Sequence, residues 1–353
     1  MQIFQSIGEH GHEQVVFCYD PKANYRGIIA IHDTTLGPAL GGTRLWNYET
    51  DADALVDVLR LSRAMTYKAA VAGLNLGGGK AVIIGDPKVT GKERELLFRA
   101  HGRFIETLGG RYITAEDVGT SVEDMECIRK ETRHVAGTAG RSGDPSPLTA
   151  YGVYCGIKAA ARERYGDESL RGLRVAVQGL GHVGFHLCEL LSHEGVELVV
   201  TDIDAARVQR AVEAFGAEAV APERIYGVKA AIFAPCALGG VINDETIPQF
   251  GFDIIAGAAN NQLAEARHGY ELARRGILYA PDYVINAGGL INVYGELEGW
   301  PPETARRKVG EIYETLRRVF ELAREEGIPT HEAADRMAEQ RLREAAKVPS
   351  SAS

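Results

Sequence analysis

Short apolar runs alternate with longer amphipathic stretches along the whole chain, and the rhythm changes near its middle. In the first 140 residues, 27–32 (GIIAIH) and 81–84 (AVII) are continuous and rich in β-branched side chains, which predicts strands. Between them, residues 51–65 place Ala54, Leu55, Val58, Leu59, Leu61 and Met65 at helical spacing, with Lys68 expected just beyond the helix end. Residues 93–108 predict another helix, stopped by Gly109 and Gly110. Residues 111–117 (RYITAED) predict a strand ending on two carboxylates, Glu116 and Asp117, which should point to opposite faces. The segment 140–147 (GRSGDPSP) is the clearest break and the expected hinge, followed by a helix over 151–165. From Arg174 onward the pattern becomes regular. Apolar strands at 175–177, 198–201, 230–233, 254–256 and 276–279 are mostly separated by helical patterns, which predicts a parallel, doubly wound sheet with helices on both faces. The segments 302–326 and 331–346 are charged and helical. The chain is therefore expected to be α/β with two domains.

Composition narrows the function classes. The chain has 353 residues, 45% hydrophobic and 25% charged, as an ordinary globular protein does. A net charge of −9 without a long basic run argues against nucleic-acid and anionic-membrane partners. No apolar stretch is long enough to cross a bilayer, and the first residues do not have the pattern of a signal peptide. Cys18, Cys127, Cys155, Cys188 and Cys236 are scattered and odd in number, which suggests buried reduced thiols and a cytoplasmic location.

The chemistry begins with Lys68 and Lys80, which bracket the run GLNLGGG at 73–79. Consecutive glycines allow close approach of backbone to a ligand. A P-loop is excluded, since Leu74 replaces its first glycine and Ala81 its Ser or Thr. Two ammonium groups in one desolvated pocket would lower each other's proton affinity, so one of them could act as a base near neutral pH. Two solvated lysines flanking a turn would be the bland alternative.

In the second half, Gly179-Leu-Gly181-His-Val-Gly184 matches the dinucleotide fingerprint G-x-G-x-x-G. Three glycines alone say little, but here an apolar strand precedes them and a helical pattern follows. Asp202 closes the next strand at nearly the expected interval. Gly179 would make the tight turn, Gly181 admit the pyrophosphate and Gly184 pack the helix on the sheet. The helix start, at His182 and Val183, would offer free N–H groups to the phosphates. Asp202 would bind the ribose hydroxyls and repel a 2′-phosphate, favouring NAD, with Arg207 expected past the first turn of the next helix. This is a Rossmann unit. His182 and His186 lack the Glu of H-E-x-x-H, and no metal is expected.

Seven blocks carry a resemblance over nearly the whole chain: IAIHDTTLGPALGGTR (29–44), MTYKAAVAGLNLGGGKAVIIGDP (65–87), GRYITAEDVGT (110–120), DPSPLTAYGVY (144–154), APCALGG (234–240), GAANNQL (257–263) and YAPDYVINAGGLINV (279–293). Together they resemble the glutamate, leucine, valine and phenylalanine dehydrogenase family, above all its leucine-type members. The resemblance implies that Gly41, Gly42 and Lys68 hold a substrate carboxylate, and that Lys80 is the base acting on the attacking water. It also implies that Asp117 moves protons at the amino group, and that Thr149, Asn260 and Asn261 position the nicotinamide and its ribose. Read from the residues alone, Asp117 would sooner be taken as a cap for the helix after Ser121. The implied architecture is a substrate-binding and oligomerisation domain (1–143 and 331–353) and an NAD-binding Rossmann domain (144–330), separated by an active-site cleft. The implied assembly is a homo-oligomer, octameric in leucine-type members.

For the substrate side chain, glutamate-binding members carry a lysine before the glycine pair and a small hydroxyl residue deep in the pocket; here those positions are Leu40 and Val293. A buried carboxylate would be unpaired there, so a branched aliphatic amino acid is expected. Ala115 agrees with leucine-type members, whereas Leu290 is closer to phenylalanine-type ones. A non-catalytic NAD-binding protein would be expected to have lost Lys80 or Asp117, and both are present. Shikimate- or malate-type oxidoreductases share the two-domain plan but do not account for Gly41, Gly42, Lys68 and Asn260–Asn261 together.

Overall fold

The computed structural model describes residues 3–138 and 144–347, which fall into two compact units. The first half of the expected hinge at 140–147, residues 140–143, lies outside the described residues. The first unit takes in the residues before that break, 296–299 and those from 338 onward; the second takes in 144–295 and 300–337.

The first unit opens with helix α1 (Ile3–His10) and holds strands β1 (Gln14–Asp20), β2 (Tyr25–Asp33), β3 (Ala39–Trp46), β4 (Gly77–Ile84) and β5 (Tyr112–Glu116). They form one sheet in the order β1-β2-β4-β3-β5. β1–β2 and β2–β4 are antiparallel, while β3 runs parallel to both β4 and β5. Helix α2 (Asp51–Val71) covers one face, with Ala54, Leu55, Val58 and Leu59 packed on Ile28, Ala30, Val82 and Ile84. Its start is fixed by a Thr50–Asp53 capping box. Helices α3 (Gly91–Glu106) and α4 (Val122–Arg129) cover the other face, where Phe98, Ile105, Met125 and Ile128 join Ile29, Ile31, Leu45 and Tyr112 in the core.

Two expectations are corrected here. The glycine run is not a ligand loop: Gly77, Gly78 and Gly79 lie inside β4, fully within the sheet. Their missing side chains admit neighbours of the fold itself. A Cβ on Gly78 would lie 2.1 Å from the Thr66 backbone nitrogen of α2, and one on Gly79 would lie 2.7 Å from the Tyr112 ring. Lys68 sits in the last turn of α2 instead of beyond it, because the helix runs on to Val71.

The second unit begins with α5 (Ser146–Tyr165) and contains β6 (Arg174–Gln178), α6 (His182–His193), β7 (Glu197–Thr201), α7 (Ala205–Phe215), β8 (Glu218–Ala219), β9 (Ile232–Pro235), β10 (Ile254–Ile255), α8 (Ala266–Arg274) and β11 (Leu278–Tyr279). The strands are all parallel in the order β11-β10-β9-β6-β7-β8, the doubly wound arrangement, with β8 an edge strand that the apolar pattern does not reveal. Helices α9 (Asp282–Ile285), α10 (Gly288–Leu297), α11 (Pro302–Gly310), α12 (Ile312–Glu326) and α13 (Thr330–Ala346) complete the chain. The end of α13 packs with the first unit, where Tyr67 donates to Glu339 at 3.1 Å and Arg341 donates to the Ala70 carbonyl at 2.9 Å. No helix among the described residues is long and apolar enough to cross a membrane.

Candidate active site

Alternation along three neighbouring strands builds the first unit's candidate site. On β3, Gly41, Thr43 and Leu45 face the α3 side, which leaves Leu40, Gly42 and Arg44 on the α2 side. On β4 the same alternation puts Lys80 on the α2 side, and β5 adds Ala115 and, one residue past its end, Asp117. α2 lies chiefly over β2 and β4 and little over β3, which carries Leu40, Gly42 and Arg44.

Lys80 and Asp117 meet: Nζ lies 2.9 Å from Oδ1. Lys80 is 5% exposed, and burial pushes its ammonium below the usual lysine range, with Arg44 adding to the effect and Asp117 opposing it. Burial alone would raise Asp117, but Lys80 and Arg44 outweigh it and hold the carboxylate below its ordinary range. Asp117 is set by a tight turn, in which its N–H donates to Thr120 Oγ1 at 2.9 Å and the Thr120 N–H donates back to its carbonyl at 3.1 Å.

Gly41 and Gly42 are dictated by packing before any ligand is considered. A Cβ on Gly41 would lie 1.7 Å from the Gly79 carbonyl oxygen, and one on Gly42 would lie 2.4 Å from that of Glu116. The β3–β4 register runs through Ala39 and Leu40, skips the glycine pair and resumes at Thr43. Beneath them lies a fully buried polar chain. Tyr25 and His101 are joined at 2.8 Å, His101 and Thr43 at 2.7 Å, and Thr43 and Thr114 at 2.6 Å, while the Tyr112 hydroxyl donates to the Gly41 carbonyl at 2.6 Å. Lys68 is half-buried on α2.

The sequence reading missed Arg44, Asp57, Tyr48 and Asn286. Arg44 donates to Asp117 Oδ2 at 2.9 Å and to Asp57 Oδ2 at 2.8 Å. A cavity of about 410 Å³ opens beside it, lined by Arg44, Trp46, Tyr48, Asp57 and Val118. The tetrapeptide Gly-Gly-Thr-Arg held the signal for Arg44, legible once β3 is taken as a strand whose alternate residues share a face.

The residues expected to bind the cofactor lie in the second unit. Gly179 adopts φ +93° at the β6–α6 turn, and a Cβ on Gly184 would lie 1.9 Å from the Gly179 carbonyl oxygen. Gly181 differs: nothing lies within 4 Å of where its Cβ would be, so open space faces the start of α6. That start is His182, and the first helical bond there is from Phe185 N–H to the Gly181 carbonyl at 2.9 Å, which leaves the earlier N–H groups, including Val183, directed at the open space. A dinucleotide pyrophosphate fits such a cradle.

Asp202 follows β7. Its Oδ2 accepts the Leu180 N–H at 2.6 Å and its Oδ1 the Asp204 N–H at 2.8 Å, so it ties the glycine turn to the next loop. Arg207 departs from expectation. It stands in the first turn of α7, 3.9 Å from Asp202 Oδ2, because that helix begins three residues after Asp202. Asn260 and Asn261 are exposed on the loop after β10, Asn261 at φ +51°. Buried Asn286 donates to Asn260 Oδ1 at 2.7 Å and so fixes its amide. Thr149 in the first turn of α5 packs by Gly288 and Gly289 at the start of α10. That helix carries Leu290, buried, and Val293, partly exposed, one turn apart. His182 and His186 form no metal cluster among the described residues.

Comparison with known proteins identifies the family. The Glu/Leu/Phe/Val dehydrogenase dimerisation domain matches residues 12–134, and the Glutamate/Leucine/Phenylalanine/Valine dehydrogenase domain matches residues 201–349. A leucine dehydrogenase of Geobacillus stearothermophilus is 59% identical over 97% of this chain and 94% of its own length. One from Thermoactinomyces intermedius is 58% identical over the same shares. The crystal structure of L-tryptophan dehydrogenase from Nostoc punctiforme superposes with a TM-score of 0.87 at 49% identity, covering 98% of this chain and 99% of that one. The chain belongs to the glutamate/leucine/phenylalanine/valine dehydrogenase family and is an oxidoreductase of the amino-acid dehydrogenase type.

Proposed function

We propose that this protein catalyses the reversible, NAD-dependent oxidative deamination of branched-chain L-amino acids, leucine first among them, to 2-oxo acids, ammonia and NADH. The observation that carries the reading is the buried Lys80–Asp117 pair, a lysine pushed toward neutrality beside a carboxylate held as its anion.

The roles follow from chemistry. Backbone N–H groups at Gly41–Gly42, where the ladder to β4 lapses, and the ammonium of Lys68 bind the substrate carboxylate. Asp117, an anion with cations on both oxygens, accepts a proton from the substrate ammonium to leave the free amine. NAD, when bound, would supply the acceptor for the hydride that leaves Cα. Lys80 then takes a proton from the water that adds to the iminium carbon, Asp117 returns a proton to the nitrogen, and as the C–N bond breaks and ammonia leaves, the carbinolamine's hydroxyl proton is lost to solvent to give the 2-oxo acid. In the first unit, Leu40 and Ala115 share the face of Lys80 and Asp117 and offer an aliphatic side chain apolar surroundings and a carboxylate none of the partners it would need; in the second, Leu290 and Val293 are apolar residues one turn apart on α10.

On the cofactor side, Gly179, Gly181, His182, Val183 and Gly184 hold the pyrophosphate, Asp202 the ribose, and Thr149, Asn260 and Asn261 the nicotinamide end. NAD is favoured because Asp202 is an anion at the 2′ position, although Arg207 moderates that preference. The family's dimerisation domain supports a homo-oligomer, and the proposal extends to the octamer that the sequence resemblance implies and to the cytoplasmic location that the scattered cysteines suggest.

The test is NADH formation on mixing the protein with NAD and leucine, valine, phenylalanine or glutamate at alkaline pH. Leucine or valine should lead. Phenylalanine ahead by tenfold would move the specificity to a neighbouring branch, with Leu290 the cause; one methylene is worth about 1–3 kcal/mol in such a pocket. Lys80→Ala should nearly abolish turnover and leave NAD binding intact, and an unimpaired kcat would remove the base from the reading.

A further inference from the structure

The Lys80–Asp117 pair has a second cation that the chemistry above does not use. Asp117 presents Oδ1 to Lys80 Nζ and Oδ2 to Arg44 Nε, each at 2.9 Å. Arg44 is itself held from behind. Its other arm donates to Asp57 Oδ2 at 2.8 Å, and the Tyr48 hydroxyl donates to the same oxygen at 2.6 Å. Arg44 comes from β3, Lys80 from β4, Asp117 from the end of β5 and Asp57 from α2. The clamp therefore ties these four elements together.

The arrangement answers a conflict in the mechanism. A carboxylate 2.9 Å from a lysine stabilises the ammonium, the opposite of what a base near neutral pH requires. An added fixed cation relieves this in two ways. It shares the carboxylate's charge, and it repels a proton on the neighbouring amine. We propose that Arg44 is a positioning residue for the reaction, which locks the Asp117 carboxylate across Lys80 and cancels the charge that Asp117 would otherwise impose on that lysine. The inference rests on the reading of Lys80 as the base. Only a guanidinium can do both parts at once, since its planar fork reaches Asp117 through Nε and Asp57 through a terminal nitrogen.

The charged and titratable groups around Lys80 are few enough to separate by mutation. α2 contributes Asp57, Arg60 (3.8 Å from Asp57 Oδ1) and, in its last turn, Lys68. β3 contributes Arg44, and β5 with its exit contributes Asp117 and the buried phenol of Tyr112 on the opposite face. Tyr48 completes the set. Removing Arg44 takes away a positive charge; removing Asp57 takes away a negative one. The two changes must move the acidity of Lys80 in opposite directions.

The experiment is the pH profile of kcat and kcat/KM for leucine oxidation in the wild type, Arg44→Gln, Arg44→Lys and Asp57→Asn. Thermal melts and NAD affinity serve as folding controls. In Arg44→Gln the limb on which Lys80 loses its proton should move up by about one pH unit, with a matching loss of rate below it. In Asp57→Asn the limb should move down. Arg44→Lys keeps the charge but not the fork, so its limb should stay near that of the wild type while kcat falls. A merely structural Arg44 would lower rates and leave the limb in place. An unmoved limb in folded Arg44→Gln overturns the proposal. Should that variant not fold, an unmoved or raised limb in Asp57→Asn overturns it instead. Wild-type turnover in Lys80→Ala would overturn the base reading and this inference together, whereas an inactive Lys80→Ala with unmoved limbs would overturn this inference alone.

Discussion

Arg207→Ala is expected to sharpen the preference for NAD over NADP. In the folded chain the Arg207 guanidinium lies 3.9 Å from Asp202 Oδ2 and 3.4 Å from Asp204 Oδ2, and its side chain is 54% exposed. A 2′-phosphate brought to the ribose edge at Asp202 thus meets a cation as well as anions. Unit charges at the 3.9 Å separation seen here attract by about 1 kcal/mol at the dielectric of water, and the exposure of Arg207 places it at that screened end of the range. Deleting the cation should therefore cost NADP about fivefold in kcat/KM. NAD has no charge at that position and should change little. The assay is the ratio of kcat/KM for the two cofactors, measured at low salt and again at about 0.15 M, where the effect of the mutation should shrink. An unchanged ratio at low salt, or a shift toward NADP, would refute the argument and leave Asp202 as the sole determinant.

The glycine fingerprint gives a contrast between two adjacent substitutions. Gly181→Ala adds a methyl to open space, so melting should be unchanged while the KM for the cofactor rises several-fold; Gly184→Ala drives a Cβ to 1.9 Å from the Gly179 carbonyl oxygen and should lower the melting temperature as well. Equal melting of the two variants would contradict this. Acid lability should come from two buried imidazoles. Burial, followed by His32, pushes His12 down to about 4, and burial pushes His101 down to about 3, both from 6.5. The folded values lie below the unfolded one, so falling pH protonates the unfolded chain first. The stability these groups confer is complete above about 6.5 and is lost toward about 4 and about 3 respectively. Each contributes up to about 1.4 kcal/mol per pH unit, and urea midpoints should fall between about pH 7 and pH 5. A flat midpoint over that interval would show that neither imidazole governs it, and an unchanged slope in His101→Asn would remove His101 from the account.

The second unit was largely legible because its signals are local. A strand, a glycine turn, a helix and an acid at the next strand end are consecutive, so β6, α6 and Asp202 follow from spacing alone. Even there, Arg207 was misplaced by less than one helical turn, enough to change what a 2′-phosphate would meet. The first unit hid more. β1 is an edge strand with Phe17 and Tyr19 exposed, so it lacks a buried apolar run. β3 is broken in pattern by Gly41 and Gly42, and glycine inside a strand ordinarily argues against one. Gly77–Gly79 were legible as a place of close approach, but what approaches is Thr66 and Tyr112, partners brought in by tertiary packing.

Arg44 shows why such a site cannot be read from residue types. Its carboxylate partners lie 13 and 73 positions away in sequence, and they meet it only through the β3–β5 register and the seating of α2. A slip of β3 by one residue would turn Arg44 and Gly42 away from Lys80 and bring Thr43 and Gly41 in their place. The buried chain on the other face opposes that slip. Thr43 is bonded there to both His101 and Thr114, and Tyr112 to the Gly41 carbonyl, so a shifted strand would leave these polar groups unpaired in the core. The polar network under the sheet thus fixes which residues stand above it, and the candidate catalytic face depends on hydrogen bonds it never touches.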